Sequence, residues 1–169
     1  MPNSRNILIA YASRLGSTAE VAQAIADEIG ADACWIGDID SLAGYDAVII
    51  GSAIRYDKWL PEAAGFVDTH HSTLQTMPVA AFLTCLTLSH KSSKALQQAT
   101  RYAESIATTL PHVRTADIGQ FAGVLDYSKV PHRSRLLARL IFAFLRVPEG
   151  DYRDWQAIRA WARTALPNS

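Results

Sequence analysis

An apolar run, a short loop and an amphipathic stretch follow one another without interruption near the start of this chain. Residues 5–11 end in the apolar sequence ILIAY, and over residues 18–29 apolar side chains recur every three or four positions until Gly30. The run predicts a central strand, and the periodic stretch predicts a helix that begins at Thr18 and ends before the glycine. A strand that passes so directly into a helix is typical of βαβ units, so the segment favours an α/β fold with a parallel sheet.

The loop that joins this strand to this helix has the composition of a phosphate site. Its hydroxyl side chains surround one glycine, which allows close backbone approach or a positive φ, and the following helix adds the positive end of its dipole. The spacing matches neither glycine-rich signature of dinucleotide or nucleoside-triphosphate sites. From this loop alone, an ordinary strand-to-helix turn capped by Thr18 is an open alternative. The residues of the predicted site are Ser13, Arg14, Leu15, Gly16, Ser17 and Thr18.

Strand and helix patterns alternate through the rest of the chain. A continuous apolar run such as 46–52 indicates a strand with helices on both faces of its sheet, and Pro61 suits the first turn of a helix. We predict further strands at 33–36, 46–52, 78–84 and 113–125, and helices from Pro61, over 91–109 and over 152–165. Ligands bind beyond the carboxyl ends of such strands, which directs attention to the loop after each strand.

Several segments spread over nearly the whole chain carry a family resemblance. They are 13–18, VIIGSAIRY at 48–56, FAGVLDY at 121–127, DYRDW at 151–155 and WA at 161–162. Together they resemble the flavodoxin-domain family that includes the menaquinone-dependent protoporphyrinogen dehydrogenases. The resemblance implies a flavodoxin-like, doubly wound α/β fold whose five parallel strands lie in the order 2-1-3-4-5. The length of the chain suits a single such domain over residues 1–169, with a helical insertion at about 127–150.

The same resemblance implies FMN as the cofactor, held by its phosphate in the first loop. It also implies oxidation of a reduced organic substrate, with a porphyrinogen among the candidates, and a quinone-like electron acceptor. The loop after the third strand offers the flavin ring small residues, a cation and an aromatic wall; its residues are Ser52, Ala53, Ile54, Arg55 and Tyr56. Trp59 is a second candidate for the wall. The loop after the fourth strand lacks an aromatic and would leave one flavin face open; its residues are Thr84, Cys85, Leu86 and Thr87.

Arg55 helps to distinguish a flavin-dependent enzyme from an electron carrier. A cation at the N1–C2=O edge of the flavin would favour the anionic reduced form and raise the two-electron potential, whereas an ion pair with Asp57 is the structural alternative. A net charge of zero also argues against a carrier that docks on a basic partner. We therefore predict an FMN-dependent oxidoreductase, with no catalytic residue assigned. A flavodoxin-type one-electron carrier and a non-redox phosphate-binding module are the alternatives.

The segment 131–147 combines eight large apolar residues with four arginines and no acidic residue. It lies in the basic part of the chain, since residues 127–169 carry a net charge of +5 and residues 1–126 a net charge of −5. Three interpretations are open: packing over the site, a homodimer surface, or contact with a membrane interface where a lipid-soluble quinone is met. The third predicts a cytoplasmic protein that is peripheral at the inner face of the membrane.

Composition excludes several other classes of protein. Zero net charge provides no general attraction to nucleic acid. Two isolated cysteines, Cys34 and Cys85, form neither a disulfide framework nor a metal-ligand pattern, which is typical of a reduced chain. Neither a leader-like start nor an apolar run long enough to span a membrane is present. We expect a cytoplasmic protein that acts on small molecules and has no metal site.

Overall fold

The computed structural model describes residues 5–110 and 115–166, which contain eight strands and six helices. The strands are β1 (Ile7–Ala12), β2 (Asp32–Trp35), β3 (Ala47–Arg55), β4 (Lys58–Trp59), β5 (Val79–Cys85), β6 (Thr115–Ala122), β7 (Val124–Leu125) and β8 (Gly150–Asp151). The helices are α1 (Ser17–Ile29), α2 (Pro61–Thr69), α3 (His71–Leu74), α4 (Ser93–Thr109), α5 (His132–Phe144) and α6 (Trp155–Ala162). Short 3-10 turns are formed by Ile36–Asp38 and Leu86–Ser89.

The main sheet confirms the predicted doubly wound arrangement. Its five parallel strands lie in the order β2-β1-β3-β5-β6. β4 pairs only with the end of β3, as an antiparallel hairpin. With this short strand left aside, the five parallel strands have the predicted order 2-1-3-4-5. The hairpin is absent from the predicted elements because a two-residue strand has no recognisable period.

Helices cover both faces of the sheet, which explains why its strands are apolar at consecutive positions. Alternate residues of β3 point to opposite faces. Val48 and Ile50 join the core cluster that contains residues of α2 and α4, whereas Ile49 joins the cluster that contains residues of α1 and α6. β5 is buried at every position. Because both faces are buried, the sheet is a rigid platform for the loops at its carboxyl edge.

The last predicted strand, 113–125, is interrupted in the structure. β6 ends at Ala122 and β7 follows after Gly123, whose N–H donates to the carbonyl of Cys85 (3.0 Å). Residues 113 and 114 of this prediction lie outside the described residues. The final helix is shorter than the predicted 152–165, because Asp154 caps α6 by accepting a hydrogen bond from the N–H of Ala157 (3.0 Å).

β7 and β8 form a separate two-stranded ribbon in which Leu125 lies opposite Gly150. The ribbon brings together the two ends of the segment that contains α5. This helix therefore lies within a loop whose two ends are paired with each other. No residue of α5 is buried. Within the described parts of the chain, no helix has the length and apolar composition that crossing a membrane requires.

Candidate functional site

Three loops meet at the carboxyl edge of the main sheet. β3 lies between β1 and β5, with Ala12 opposite Ser52 and Ala53 opposite Thr84. The loop after β1, the hairpin after β3 and the turn after β5 therefore leave the sheet side by side. The structure thus brings together the three segments that contain every predicted site residue. In an open parallel sheet this is the place where ligands bind.

The loop after β1 presents an uncapped helix N-terminus. Gly16 has a φ of +88°, a conformation that L side chains disfavour, and its N–H donates to Ser13 Oγ (3.1 Å). α1 begins at Ser17, and no described side chain caps its first N–H groups. Such groups, together with the helix dipole, form a ready site for an anion. The alternative in which Thr18 caps the helix is wrong, because Thr18 lies inside it.

Thr18 and Thr84 join the first loop to the third. Their hydroxyl oxygens are 2.8 Å apart, and both side chains are buried. These two predicted site residues lie together, but their hydroxyls bond to each other. On the phosphate loop itself, Ser13 and Ser17 keep partly exposed side chains.

Arg14 and Leu15 lie on the exposed part of the same loop. The guanidinium of Arg14 pairs with Glu62 at the start of α2 (3.0 Å), and both side chains are about half exposed. Exposed pairs of this kind contribute little stability. The pair therefore leaves Arg14 able to exchange its partner for another anion.

The hairpin after β3 carries two predicted ring contacts at its tip. Arg55 lies opposite Lys58, and the two residues between them, Tyr56 and Asp57, have φ angles of +49° and +62°. A two-residue loop with positive φ at both positions is a type I′ turn. Tyr56 is 92% exposed. The turn therefore holds a flat aromatic side chain in solvent at the edge of the site.

The root of the hairpin is held by Ser52. Its buried Oγ accepts a hydrogen bond from the N–H of Leu60 (3.1 Å) and donates to the carbonyl of Ala53 (3.0 Å). Ser52 thus fixes the start of α2 relative to β3, while Ala53 and Ile54 remain partly exposed. Trp59 is only 8% exposed and packs in the core, so the prediction of Trp59 as an aromatic wall is wrong.

Arg55 is exposed and makes no ion pair with any described residue. Asp57, its expected partner, instead accepts a hydrogen bond from the hydroxyl of Tyr102 on α4 (2.7 Å). Burial, and this contact with a carboxylate, raise the pKa of Tyr102. The expected pair between Arg55 and Asp57 is therefore wrong, and the guanidinium is available to a ligand.

The turn after β5 supplies backbone groups and side chains without an aromatic ring. Cys85 is buried, and burial raises the pKa of its thiol. The thiol is therefore protonated at neutral pH and acts as a packing group. Leu86 and Thr87 are partly exposed, and Thr87 Oγ1 lies 3.5 Å from the hydroxyl of Tyr102.

A buried arginine beside the first loop was not identified from the sequence. The side chain of Arg153 is 6% exposed; it donates to Glu20 Oε2 (2.8 Å), to the carbonyl of Ser17 (3.2 Å) and to both carboxylate oxygens of Asp151 (2.9 and 2.6 Å). Lys129 also pairs with Glu20 (3.2 Å). The hydrogen bonds from Arg153 are the main cause that lowers the pKa of both carboxyls. The DYRDW motif contains this arginine, but its partners on α1 lie 133 and 136 residues earlier, so no local pattern reveals them.

α5 presents an apolar arc to solvent. Residues at six positions spaced i, i+1, i+4, i+5, i+8 and i+9 form this continuous arc. Each is at least 47% exposed: Leu136, Leu137, Leu140, Ile141, Phe144 and Leu145. Arg139 stacks on Tyr127 (5.3 Å to the ring centroid), and Arg135 donates to the carbonyls of Ser128 and Val130. The arc itself faces away from the described protein surface, which does not support packing of these side chains over the site.

The donor set fits a phosphate that is attached to a flat ring. An open helix N-terminus suits the phosphate, while an exposed aromatic and an exposed cation on the adjacent hairpin suit a planar ring that gains negative charge. FMN has these two parts. Among the described residues, no group of three metal-ligating side chains lies close enough to bind a metal ion.

Two curated relatives are similar to this chain over nearly all of it. Protoporphyrinogen IX dehydrogenase (quinone) of Leishmania major is 29% identical, over 97% of this chain and 77% of the relative. The protein of the same name from Escherichia coli strain K12 is 28% identical, over 92% of each chain.

Solved structures and a family model agree on the fold. A flavoprotein in complex with FMN from Lactobacillus acidophilus has a TM-score of 0.55 at 15% identity, over 69% of this chain and 93% of that one. Oxidised flavodoxin 2 from Bacillus cereus has a TM-score of 0.53 at 23% identity, over 83% of this chain and 99% of that one. The flavodoxin domain family matches residues 8–152, which include all three loops. This chain therefore belongs to the flavodoxin domain family, and FMN is the cofactor that this membership supports.

Proposed function

We propose that this protein is an FMN-dependent oxidoreductase that oxidises a porphyrinogen and passes the electrons to a quinone. Family membership supports the flavin-dependent redox chemistry. The donor and the acceptor are proposed from the two relatives, whose names specify protoporphyrinogen and quinone and which match at least 92% of this chain. In each turnover the donor would lose two electrons and two protons, and the quinone would gain both to form a quinol.

The observation that carries the proposal is that the loop before the uncapped α1 N-terminus and the hairpin with the exposed Tyr56 follow neighbouring strands at the same edge of the sheet. Ser13, Ser17 and the first N–H groups of α1 would hold the phosphate of FMN. Residues 53–56 would lie along the ring. FMN, when bound, supplies the electron and hydride chemistry, and the protein sets its orientation and potential.

The turn after β5 supports an enzyme rather than a carrier. Residues 84–87 read TCLT and contain no aromatic side chain that could stack on the ring. That face of the ring would stay accessible to a donor. A carrier can enclose its flavin, because electrons reach the ring edge without a substrate binding against it.

Arg55 would raise the two-electron potential of the flavin and so favour oxidation of the donor. Its guanidinium is exposed beside the site and makes no ion pair with any described residue. A cation near the ring edge stabilises the negative charge that the ring gains on reduction. It would therefore raise the two-electron potential and make the flavin a better acceptor for the donor's electrons.

The quinone would be met at an anionic lipid surface that α5 contacts. The apolar arc would enter the headgroup region, while Arg133, Arg139 and Arg146 would interact with anionic headgroups. The segment 131–147 has four arginines and no acidic residue. Two copies that faced each other through this segment would repel, so its charge favours lipid over a homodimer.

An anaerobic titration tests the proposal. Purified protein loaded with FMN is mixed with protoporphyrinogen IX while the flavin absorbance is followed, and a menaquinone analogue is then added. We expect the donor to bleach the flavin in a single two-electron phase and the quinone to restore the colour. Reduction in two separate one-electron phases, and only by strong electron donors, would instead support a carrier. Failure to take up FMN would show that the first loop binds another ligand or none.

A further inference from the structure

We propose that Arg153 is a positioning residue for the phosphate of FMN, because it fixes the first turn of α1 and neutralises the acidic side chain in that turn. The inference rests on FMN binding and is independent of the donor and the acceptor. Arg153 lies on the far side of the inserted segment from the phosphate loop in sequence, and only the fold brings the two together.

The geometry of Arg153 is that of a rigid connector. Its Nη1 bridges the carbonyl of Ser17 (3.2 Å) and Glu20 Oε2 (2.8 Å), while Nε and Nη2 hold the carboxylate of Asp151 (2.9 and 2.6 Å). The guanidinium also lies 4.4 Å from the ring centroid of Trp155. A planar guanidinium that donates hydrogen bonds along its edges and stacks on an aromatic ring has little freedom to rotate. Arg153 therefore fixes the first residues of α1, whose N–H groups would bind the phosphate.

Charge gives Arg153 a second role. Glu20 is an acidic residue in the first turn of α1, the turn at which a phosphate monoester with a charge of about −1.5 to −2 would bind. Arg153 and Lys129 both pair with Glu20, and hydrogen bonding, chiefly from Arg153, lowers the pKa of Glu20. With Asp151, the cluster has two acidic and two basic groups. The phosphate would therefore meet the helix dipole without net repulsion from the cluster.

The same cluster ties the inserted segment to the phosphate loop. Lys129 precedes α5, and Arg153 follows β8, so both ends of the segment are held on Glu20. Loss of Arg153 would release one of these two connections and leave Glu20 with Lys129 as its only described ionic partner.

A comparison of FMN with riboflavin separates this role from general support of the fold. Riboflavin has the same ring but no phosphate. We expect Arg153→Gln to lower the affinity for FMN about tenfold, because the first N–H groups of α1 lose their fixed position and Glu20 loses its main ionic partner beside the phosphate. A tenfold change in affinity corresponds to about 1.4 kcal/mol. The affinity for riboflavin should stay at the wild-type value, and the loss for FMN should shrink as salt screens the unpaired carboxylates. Both affinities are measured by quenching of flavin fluorescence.

Arg163→Gln is the matched control. Arg163 pairs with Glu28 (2.7 Å) at the other end of α1, and its loss should leave both affinities unchanged. Equal losses of FMN and riboflavin affinity in Arg153→Gln, or no loss of either, would overturn the inference. If that variant does not fold, Arg153→Lys keeps the charge without the fork: a lower ratio of FMN to riboflavin affinity supports the inference and an unchanged ratio overturns it. A wild-type protein that binds neither flavin would overturn the proposed function as well.

Discussion

The hydroxyl oxygens of Thr18 and Thr84 lie 2.8 Å apart in the interior of the protein, 66 residues apart in sequence. Thr18 belongs to the first turn of α1 and Thr84 to the end of β5. The contact therefore sets the distance between the loop proposed to hold the phosphate and the turn after β5, which is proposed to leave one face of the flavin ring accessible. Since both side chains are buried, neither hydroxyl has water as a substitute partner.

Replacing only one of these two threonines should lower the free energy of unfolding by more than half of what replacing both would lower it. We expect Thr84→Val to lower the free energy of unfolding by about 1–3 kcal/mol, because it leaves the hydroxyl of Thr18 buried without a partner. The double variant Thr18→Val/Thr84→Val should lose less than the sum of the two single variants, since two apolar groups of similar shape then meet. Urea denaturation of the four proteins measures this coupling. Strictly additive losses would contradict it.

Gly16→Ala should destabilise the protein through the backbone alone. Gly16 has a φ of +88°, and a Cβ built there would meet no atom within 4 Å. The expected loss is therefore the conformational cost of a left-handed L residue, about 1–2 kcal/mol. Gly65→Ala is the control, because Gly65 lies in α2 and also has open space around it. This substitution should stabilise the protein by about 0.5–1 kcal/mol, since glycine disfavours a helix interior. Thermal denaturation measures the stability of both variants. Changes of the same sign in Gly16→Ala and Gly65→Ala would contradict the prediction.

Arg55→Gln should lower the two-electron potential of bound FMN. Removal of the exposed cation withdraws stabilisation from the reduced anionic ring, and a loss of about 1.4 kcal/mol corresponds to about 30 mV. The potential is measured by equilibration with a reference dye. Arg101→Gln removes an exposed arginine from α4 and should leave the potential unchanged. An equal potential in wild type and Arg55→Gln would show that Arg55 points away from the ring.

Charges placed on the apolar arc of α5 should weaken lipid binding. We expect the double variant Leu140→Glu/Phe144→Glu to bind vesicles containing anionic lipid at least about tenfold more weakly than wild type, since two large apolar side chains leave the bilayer interface. Sedimentation with vesicles measures the binding. Leu96→Glu, at a position on α4 that is 56% exposed, is the matched control.

Two results would reject the lipid surface. The first is that the wild-type protein binds neutral and anionic vesicles equally well, or binds neither kind. The other is a wild-type dimer in solution that Leu140→Glu/Phe144→Glu converts to monomers, which would assign the arc to a homodimer.

Acid should destabilise the protein through the cluster around Arg153. Hydrogen bonding to Arg153 is the main cause that lowers the pKa of Glu20 below its ordinary value of 4.5. A carboxyl whose pKa is lower in the folded state contributes stability that is present above its unfolded pKa and is lost as the pH falls through the folded value. We therefore expect the melting temperature of wild type to fall more steeply below pH 4.5 than that of Glu20→Gln. Parallel melting curves across this range would contradict the prediction.

The sequence patterns predicted the five parallel strands, the longer helices and the positions of the three loops, but not the short elements β4, β8 and α3. Buried runs and the helical period report which faces of an element are covered, and the motif at 48–56 carries the family resemblance that implied the strand order. For Gly16 the sequence left open a close backbone approach or a positive φ, and the structure shows the positive φ. What a pattern does not contain is the direction of each polar side chain. Thr18 was predicted to offer its hydroxyl to a phosphate, whereas that hydroxyl bonds to Thr84 in the interior.

The amino-acid sequence by itself therefore determined the fold class and the position of each loop that follows a strand, because an apolar run and a helical period depend on residues that are close together along the chain. That these loops bind FMN stays a prediction. Only the tertiary structure decided that Arg153 reaches Glu20, that Asp57 pairs with Tyr102, and that the arc on α5 faces solvent. The two contacts join residues 133 and 45 positions apart. Their partners are selected by the packing of helices on a shared sheet, and no local period or composition encodes that choice.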